Sequence, residues 1–303
     1  MEHILETKEL SKDFSGKLAV DHVSIKVGKG DIYGFIGENG AGKTTLMRMV
    51  CGLASPTGGE ITLFGSKDLV SQRYRVGCTI ENPALYPTMT AMENMEVQRI
   101  LLGIPDKKVC GELLEIAGIS YTGNKKAKDF SLGMKQRLVV ALSLLGNPEF
   151  LVLDEPTNGL DPMGIKEVRD LFQRLNEARG ITILVSSHIL GELEKIATRY
   201  GVISNGKMID EFRTDELANR CGKNVVIHAS DPQKAENIIN TMFQDAECTR
   251  TPENNIRLKG HVDDAGRINE QLVREGVTVS ALIPEGEILE DYFLRLMGGK
   301  VYA

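Results

Sequence analysis

Gly37-Glu38-Asn39-Gly40-Ala41-Gly42-Lys43-Thr44 has the spacing GxxxxGK[ST] of a phosphate-binding loop. The apolar run Ile32-Tyr33-Gly34-Phe35-Ile36 precedes it and Leu46-Met47-Arg48-Met49-Val50 follows, so strand, loop and helix succeed one another as that chemistry requires. Gly37, Gly40 and Gly42 let the backbone curl until successive N–H groups, and the positive end of the following helix, face phosphate oxygens. The expected phosphate cradle is Gly37, Glu38, Asn39, Gly40, Ala41, Gly42, Lys43, Thr44 and Thr45. Within it, Lys43 reaches the β- and γ-phosphates and the Thr44 hydroxyl binds magnesium. A glycine-rich turn opening an ordinary helix needs neither the full spacing nor both flanks.

A phosphate loop alone serves kinases, GTPases and helicases as well, so a second cluster has to discriminate. Leu151-Val152-Leu153-Asp154-Glu155 reads as a buried strand ending in two acids, which a core does not accept without a cation or hydrogen-bond partners. Asp154 is placed to hold magnesium through water, and Glu155 to take a proton from an attacking water. The competing reading, acids that merely cap the next turn, loses weight beside the loop upstream.

Ser131-Leu132-Gly133-Met134-Lys135-Gln136-Arg137, then LVLDEPTNGLDP at 151–162, then His188 after ILVSS, resemble the ATP-binding cassette (ABC) family in order and spacing. The resemblance covers residues 3 to about 210. It implies ATP and Mg²⁺ as ligands and two cassettes facing head to tail, each ATP lying between the phosphate loop of one and the signature segment of the other. On that resemblance Ser131 and Gly133 touch the γ-phosphate across the dimer, and the helix expected over Gln136–Leu145 adds its N-terminal dipole. Asp161 links the two sites, His188 holds the γ-phosphate and the hydrolytic water, and Phe14 stacks on adenine. A lone aromatic is otherwise as readily a core residue.

The chain departs from the family pattern in two places. Leu132 and Met134 stand where the signature usually has glycine and glutamine, and Glu81, in Val76-Gly77-Cys78-Thr79-Ile80-Glu81-Asn82-Pro83, stands where the family usually has glutamine. A carboxylate binds magnesium more strongly than an amide and repels the γ-phosphate when the metal is absent, so Glu81 is a candidate metal partner with Thr44 and Asp154. Glutamate here, with the run Ala84 to Asn94, resembles the cassettes of bacitracin and lantibiotic export systems. Neutral drift to a similar side chain remains the alternative.

With 303 residues and 42% hydrophobic content, the chain is large enough for about two domains. A net charge of −6 gives no electrostatic footprint for nucleic acid, and Lys125, Lys126 and Lys128 read as a solvated loop. Cys51, Cys78, Cys110, Cys221 and Cys248 are scattered without a CxxC pair, as in a reduced compartment. Neither a signal-peptide pattern nor an apolar stretch of about 18 residues occurs, so any pore is expected on a separate multi-spanning permease. The chain is then expected in the cytoplasm, peripheral on the inner face of the plasma membrane.

The expected architecture is an α/β cassette over 1–220 and a C-terminal α+β module over 221–303. The cassette combines a mixed sheet, an antiparallel β part formed by residues 4–10 and 20–27, and a helical subdomain near 90–120. Helices are expected at 165–178 and 189–197, and Asn205-Gly206 marks a hairpin that closes the cassette. The module reads β-α-β-β-α-β with a closing helix at 288–297, a pattern that suggests a ferredoxin-like fold. Its end, Leu289-Glu290-Asp291-Tyr292-Phe293, is similar to the C-terminal extensions of exporter cassettes. The function expected from the whole is ATP hydrolysis powering an exporter of peptide antibiotics or drugs, as a homodimer or with a related cassette. The alternative is an ABC ATPase that serves no transporter, although neither a second cassette nor a long coiled-coil insertion is visible.

Overall fold

Two units make up the chain, Met1–Arg213 and Thr214–Ala303. The structure is a computed structural model that describes residues 2–81, 85–189, 191, 193–216, 223–243, 245–286 and 293. The division falls before the residue-220 boundary expected from the sequence, because the last strand of the first unit's sheet ends at Arg213.

In the first unit, β1 (His3–Phe14) pairs antiparallel with β2 (Lys17–Val23) and β3 (Lys26–Gly28). Strand β4 (Ile32–Ile36) runs into helix α1 (Lys43–Cys51), and β5 (Gly58–Leu63) returns to pair with β1. Leu5, Leu10, Val20, Val27, Met47, Val50 and Leu63 fill the core between these elements. After the short α2 (Leu69–Arg73) come β6 (Val76–Thr79), α3 (Ala91–Leu101), α4 (Lys108–Ile116), α5 (Leu132–Ser143), β7 (Phe150–Leu153), α6 (Pro162–Arg179), β8 (Thr182–Ser187), β9 (Arg199–Ser204) and β10 (Lys207–Arg213).

The main sheet has the order β10-β9-β4-β8-β7-β6, parallel except for the edge strand β10. Every residue of β4, β7 and β8 is buried, which is why these strands read as unbroken apolar runs rather than alternating ones. Their parallel register brings the carboxyl ends of β4, β8, β7 and β6 side by side, the edge at which open α/β sheets bind ligands.

Local chemistry sets the helix limits. Thr90 and Glu93 form a reciprocal capping box at the start of α3. Helix α5 starts directly after Ser131, not at Gln136 as expected, because the Ser131 hydroxyl accepts the Met134 N–H at 3.2 Å and so nucleates the first turn. The helix expected over 189–197 includes residues 190 and 192, outside the described set; residues 193–196 form turns whose N–H groups at Ile196 and Ala197 reach Leu193 O. Asn205 and Gly206 adopt φ of 48° and 80°, as a two-residue hairpin between β9 and β10 demands.

The second unit contains β11 (Lys223–Ala229), α7 (Pro232–Met242), β12 (Cys248–Arg250), β13 (Ile256–Lys259), α8 (Ala265–Arg274) and β14 (Val279–Gly286). Its sheet is antiparallel with the order β12-β13-β11-β14. Val225, Ile227 and Leu258 of the strands pack with Ala235, Ile239, Ile268 and Leu272 of the helices. Of the closing helix expected at 288–297, only Phe293 is described, and it is buried. No helix among the described residues is long and apolar enough to cross a membrane.

Candidate active site

The loop after β4 is shaped by its glycines. A Cβ on Gly37 would collide with the Ile203 carbonyl and one on Gly42 with the Ala19 carbonyl, while Gly42 also requires φ of 111°. Gly42 occupies the N-cap of α1 and offers no side-chain cap, so the first-turn N–H groups are left for an anion. Lys43 is 5% exposed and its Nζ donates to the carbonyls of Gly37 at 2.6 Å and Glu38 at 3.1 Å, which arches the side chain back over the loop.

A network of side chains links that loop to the ends of β7 and β8. The Thr44 hydroxyl donates to Asp154 Oδ2 at 2.7 Å, and Ser186 Oγ donates to Asp154 Oδ1 at 2.7 Å. Ser186 Oγ also accepts the Glu155 N–H at 2.8 Å. Glu155 Oε2 lies 2.6 Å from His188 Nδ1, and Oε1 lies 3.0 Å from Lys43 Nζ. The ammonium is not aligned to hydrogen-bond Oε1, which is therefore buried with no hydrogen-bond partner. Glu155 also has a left-handed backbone, φ 47°, a conformation that β-strand ends tolerate where a side chain must be aimed.

Thus Lys43, Thr44, Asp154, Glu155 and His188 are brought together at one edge of the sheet. Hard oxygen donors from Thr44 and Asp154 suit magnesium, the loop suits phosphates, and the Glu155 carboxylate, anchored by His188, suits a water to be deprotonated. Among the described residues no group of three His, Cys, Asp or Glu side chains forms a metal cage.

Other expected residues lie apart from this cluster. Glu81 pairs with Arg48, its Oε1 2.5 Å from Nη2, rather than with Thr44 or Asp154. Phe14 ends β1, half exposed with Lys12 Nζ 5.1 Å from its ring centre, so it is not a core aromatic. Ser131 and Asp161 cap α5 and α6, Asp161 accepting the Gly164 N–H at 2.9 Å. Gly133 lies against Gly164, so that the methyl of an alanine at 133 would stand 3.7 Å from the Gly164 Cα, and Leu132 packs onto Gly159. These form a second group at the starts of α5 and α6.

Sequence reading missed Ser186, although a polar pair ending the apolar run Ile183-Leu184-Val185 was a usable signal. Ser186 is fully buried, and Ser186→Ala would strand an Asp154 oxygen and the Glu155 N–H, each worth about 1–3 kcal/mol. The expected result is a kcat about ten-fold lower with little change in KM, measured as phosphate release at saturating ATP. The scattered cysteines also concealed a pair. Cys51, ending α1, lies close enough to Cys78, on β6, to pull the Cys78 thiol down to about 7, while Cys78 and burial push the Cys51 thiol up.

Comparison with known proteins shows the family. The family model described as ABC transporter matches residues 20–158. The bacitracin transport ATP-binding protein BcrA of Bacillus licheniformis is 41% identical over 302 residues, 99% of each chain. The lantibiotic transport ATP-binding protein SrtF of Streptococcus pyogenes is 40% identical over 216 residues, covering 71% of this chain and 93% of that protein. Among solved structures, cbiO1 of Clostridium perfringens, part of the cbiONQ transporter complex, superposes with a TM-score of 0.66 at 26% identity, covering 72% of this chain and 91% of cbiO1. MJ1267, an ATP-binding cassette in its ADP conformation, gives 0.64 at 26% identity over 72% of this chain and 95% of its own. A phosphate loop wired through Thr44 and Asp154 to Glu155 and His188, together with 41% identity over 99% of the chain to an ATP-binding transport protein, establishes that the chain belongs to the ABC transporter family, as one of its ATP-binding subunits.

Proposed function

We propose that two copies of this chain, or this chain and a related cassette, close around ATP and reopen on hydrolysis, and so power a separate multi-spanning permease that exports peptide antibiotics or similar drugs. The observation that carries the reading is the Glu155 carboxylate, held between Lys43 and His188 beside the phosphate loop. Glu155 accepts the proton of the attacking water, and His188 holds the carboxylate in place. Residues 37–45 bind the phosphates, Lys43 turning from the loop carbonyls to phosphate oxygens, and Phe14 offers its exposed face to the base. Thr44 and Asp154, with Glu81 as a further carboxylate partner, would hold magnesium, which would supply charge neutralisation on the phosphate oxygens. Ser131 and Gly133 supply the other side of the site from the second cassette, with the N-terminus of α5 behind them and Asp161 linking the two halves.

The names of BcrA and SrtF, together with Glu81, favour a peptide antibiotic of the bacitracin or lantibiotic kind as cargo. The permease would dock on the segment that follows Glu81, through about Leu101, where Tyr86, Met92, Ile100 and Leu101 are exposed apolar side chains. Residues 82–84 of the segment expected to receive it lie outside the described set. A tagged chain recovered from gently solubilised membranes is expected to bring a multi-spanning protein with it, and its deletion to sensitise cells to such peptides. Recovery only in the soluble fraction, alone or with ribosomes, would favour an ATPase that serves no transporter.

A further inference from the structure

We propose that Arg48 is a positioning residue that holds the Glu81 carboxylate away from the metal end of the site, releasing it when magnesium and nucleotide arrive, and thereby sets how strongly ATP binding depends on magnesium. The inference rests on the reading of Glu81 as a magnesium partner. Its direct basis is the 2.5 Å pairing of Arg48 Nη2 with Glu81 Oε1.

Arg48 stands four residues after Thr44 on α1, so both side chains lie on one face of the helix, about 6 Å apart along the axis. Arg48 is therefore rooted one turn behind the hydroxyl assigned to the metal. Glu81 itself has a left-handed backbone, φ 62°, which a glutamate adopts only where surrounding contacts hold it. The pairing with Arg48 is such a contact.

A basic side chain near the end of a helix usually needs no explanation beyond capping the last carbonyls. Here Arg73 fills that role, its Nε donating to Val50 O at 3.0 Å and its Nη2 to Met49 O at 3.1 Å. The Arg48 carbonyl is occupied as well, by the N–H groups of Leu53 at 2.8 Å and Ala54 at 3.2 Å. The end of α1 is thus closed without the Arg48 side chain, and its backbone is fixed while the guanidinium reaches Glu81. Both partners are partly exposed, 40% and 60%, so the hold is weak enough to be broken by a bound metal ion.

The test is the ratio of ATP affinities with magnesium and with EDTA, measured by binding of a fluorescent ATP analogue at fixed ionic strength. Free to approach the phosphates, Glu81 repels ATP without metal and attracts it with metal. Arg48→Ala is therefore expected to raise the ratio about three-fold, and Arg48→Lys to stay near wild type. Glu81→Gln is expected to lower it about four-fold, and Arg48→Ala added to Glu81→Gln to change nothing further. If Glu81→Gln lowers the ratio but Arg48→Ala leaves it unmoved, the role of Arg48 is overturned while that of Glu81 stands. An unmoved ratio in Glu81→Gln overturns both. A shift from Arg48→Ala that persists in the Glu81→Gln background also overturns the inference, because Arg48 would then act without the carboxylate.

Discussion

Glu155→Gln is expected to lower phosphate release at saturating ATP by about 10²- to 10⁴-fold while ATP binding is retained. The amide matches the carboxylate in shape but has no charge with which to accept a proton. Its effect is confined to chemistry because the phosphate-binding groups lie elsewhere. Lys43 keeps the Gly37 and Glu38 carbonyls as partners, and Thr44 keeps Asp154. The fold should also tolerate the change, since the Glu155 N–H remains on Ser186 Oγ. Steady-state phosphate release and binding of a fluorescent ATP analogue measure the two halves of this expectation separately. A turnover within ten-fold of wild type would show that another group takes the proton.

The second large effect is expected at Lys43. Its ammonium is 5% exposed and is surrounded by two loop carbonyls and the Glu155 carboxylate. In the bound state two charge-assisted bonds to phosphate oxygens would replace the carbonyl contacts, together worth about 3–4 kcal/mol, so Lys43→Ala is expected to weaken ATP binding about 10²- to 10³-fold. The same substitution leaves Glu155, 18% exposed, without its counter-charge beside an already unbonded oxygen, which also lowers stability. Calorimetric titration with ATP and thermal melting measure the two consequences. Affinity within five-fold of wild type, in a variant that melts like the parent, would contradict the assigned role of Lys43.

What could be read from the sequence was whatever adjacent residues determine. The phosphate loop is a contiguous run in which each glycine answers a backbone demand, and the two-residue hairpin at Asn205-Gly206 is equally local. The buried strands β4, β7 and β8 announced themselves as apolar runs because both their faces are covered. The pairings that tune the site could not be read this way. Ser186 meets Asp154 across 32 residues of sequence only because β7 and β8 are parallel neighbours. Arg48 meets Glu81, and Cys51 meets Cys78, because the end of α1 lies beside the end of β6. The start of α5 was placed late because Ser131 was weighed for contact with phosphate and not for its second capacity, accepting the Met134 N–H.

Ser131, Gly133 and Asp161 gather at the starts of α5 and α6, and Lys43, Glu155 and His188 gather at the edge of the parallel sheet. On the proposed reading, a complete nucleotide site takes one group from each of two cassettes. Light scattering of Glu155→Gln at saturating magnesium-ATP tests this most directly, because blocked hydrolysis should trap the closed pair. A mass twice that of the chain, collapsing to a monomer when ATP is withdrawn, is the expected result. A monomer throughout, with ATP bound, would contradict a site shared between two copies.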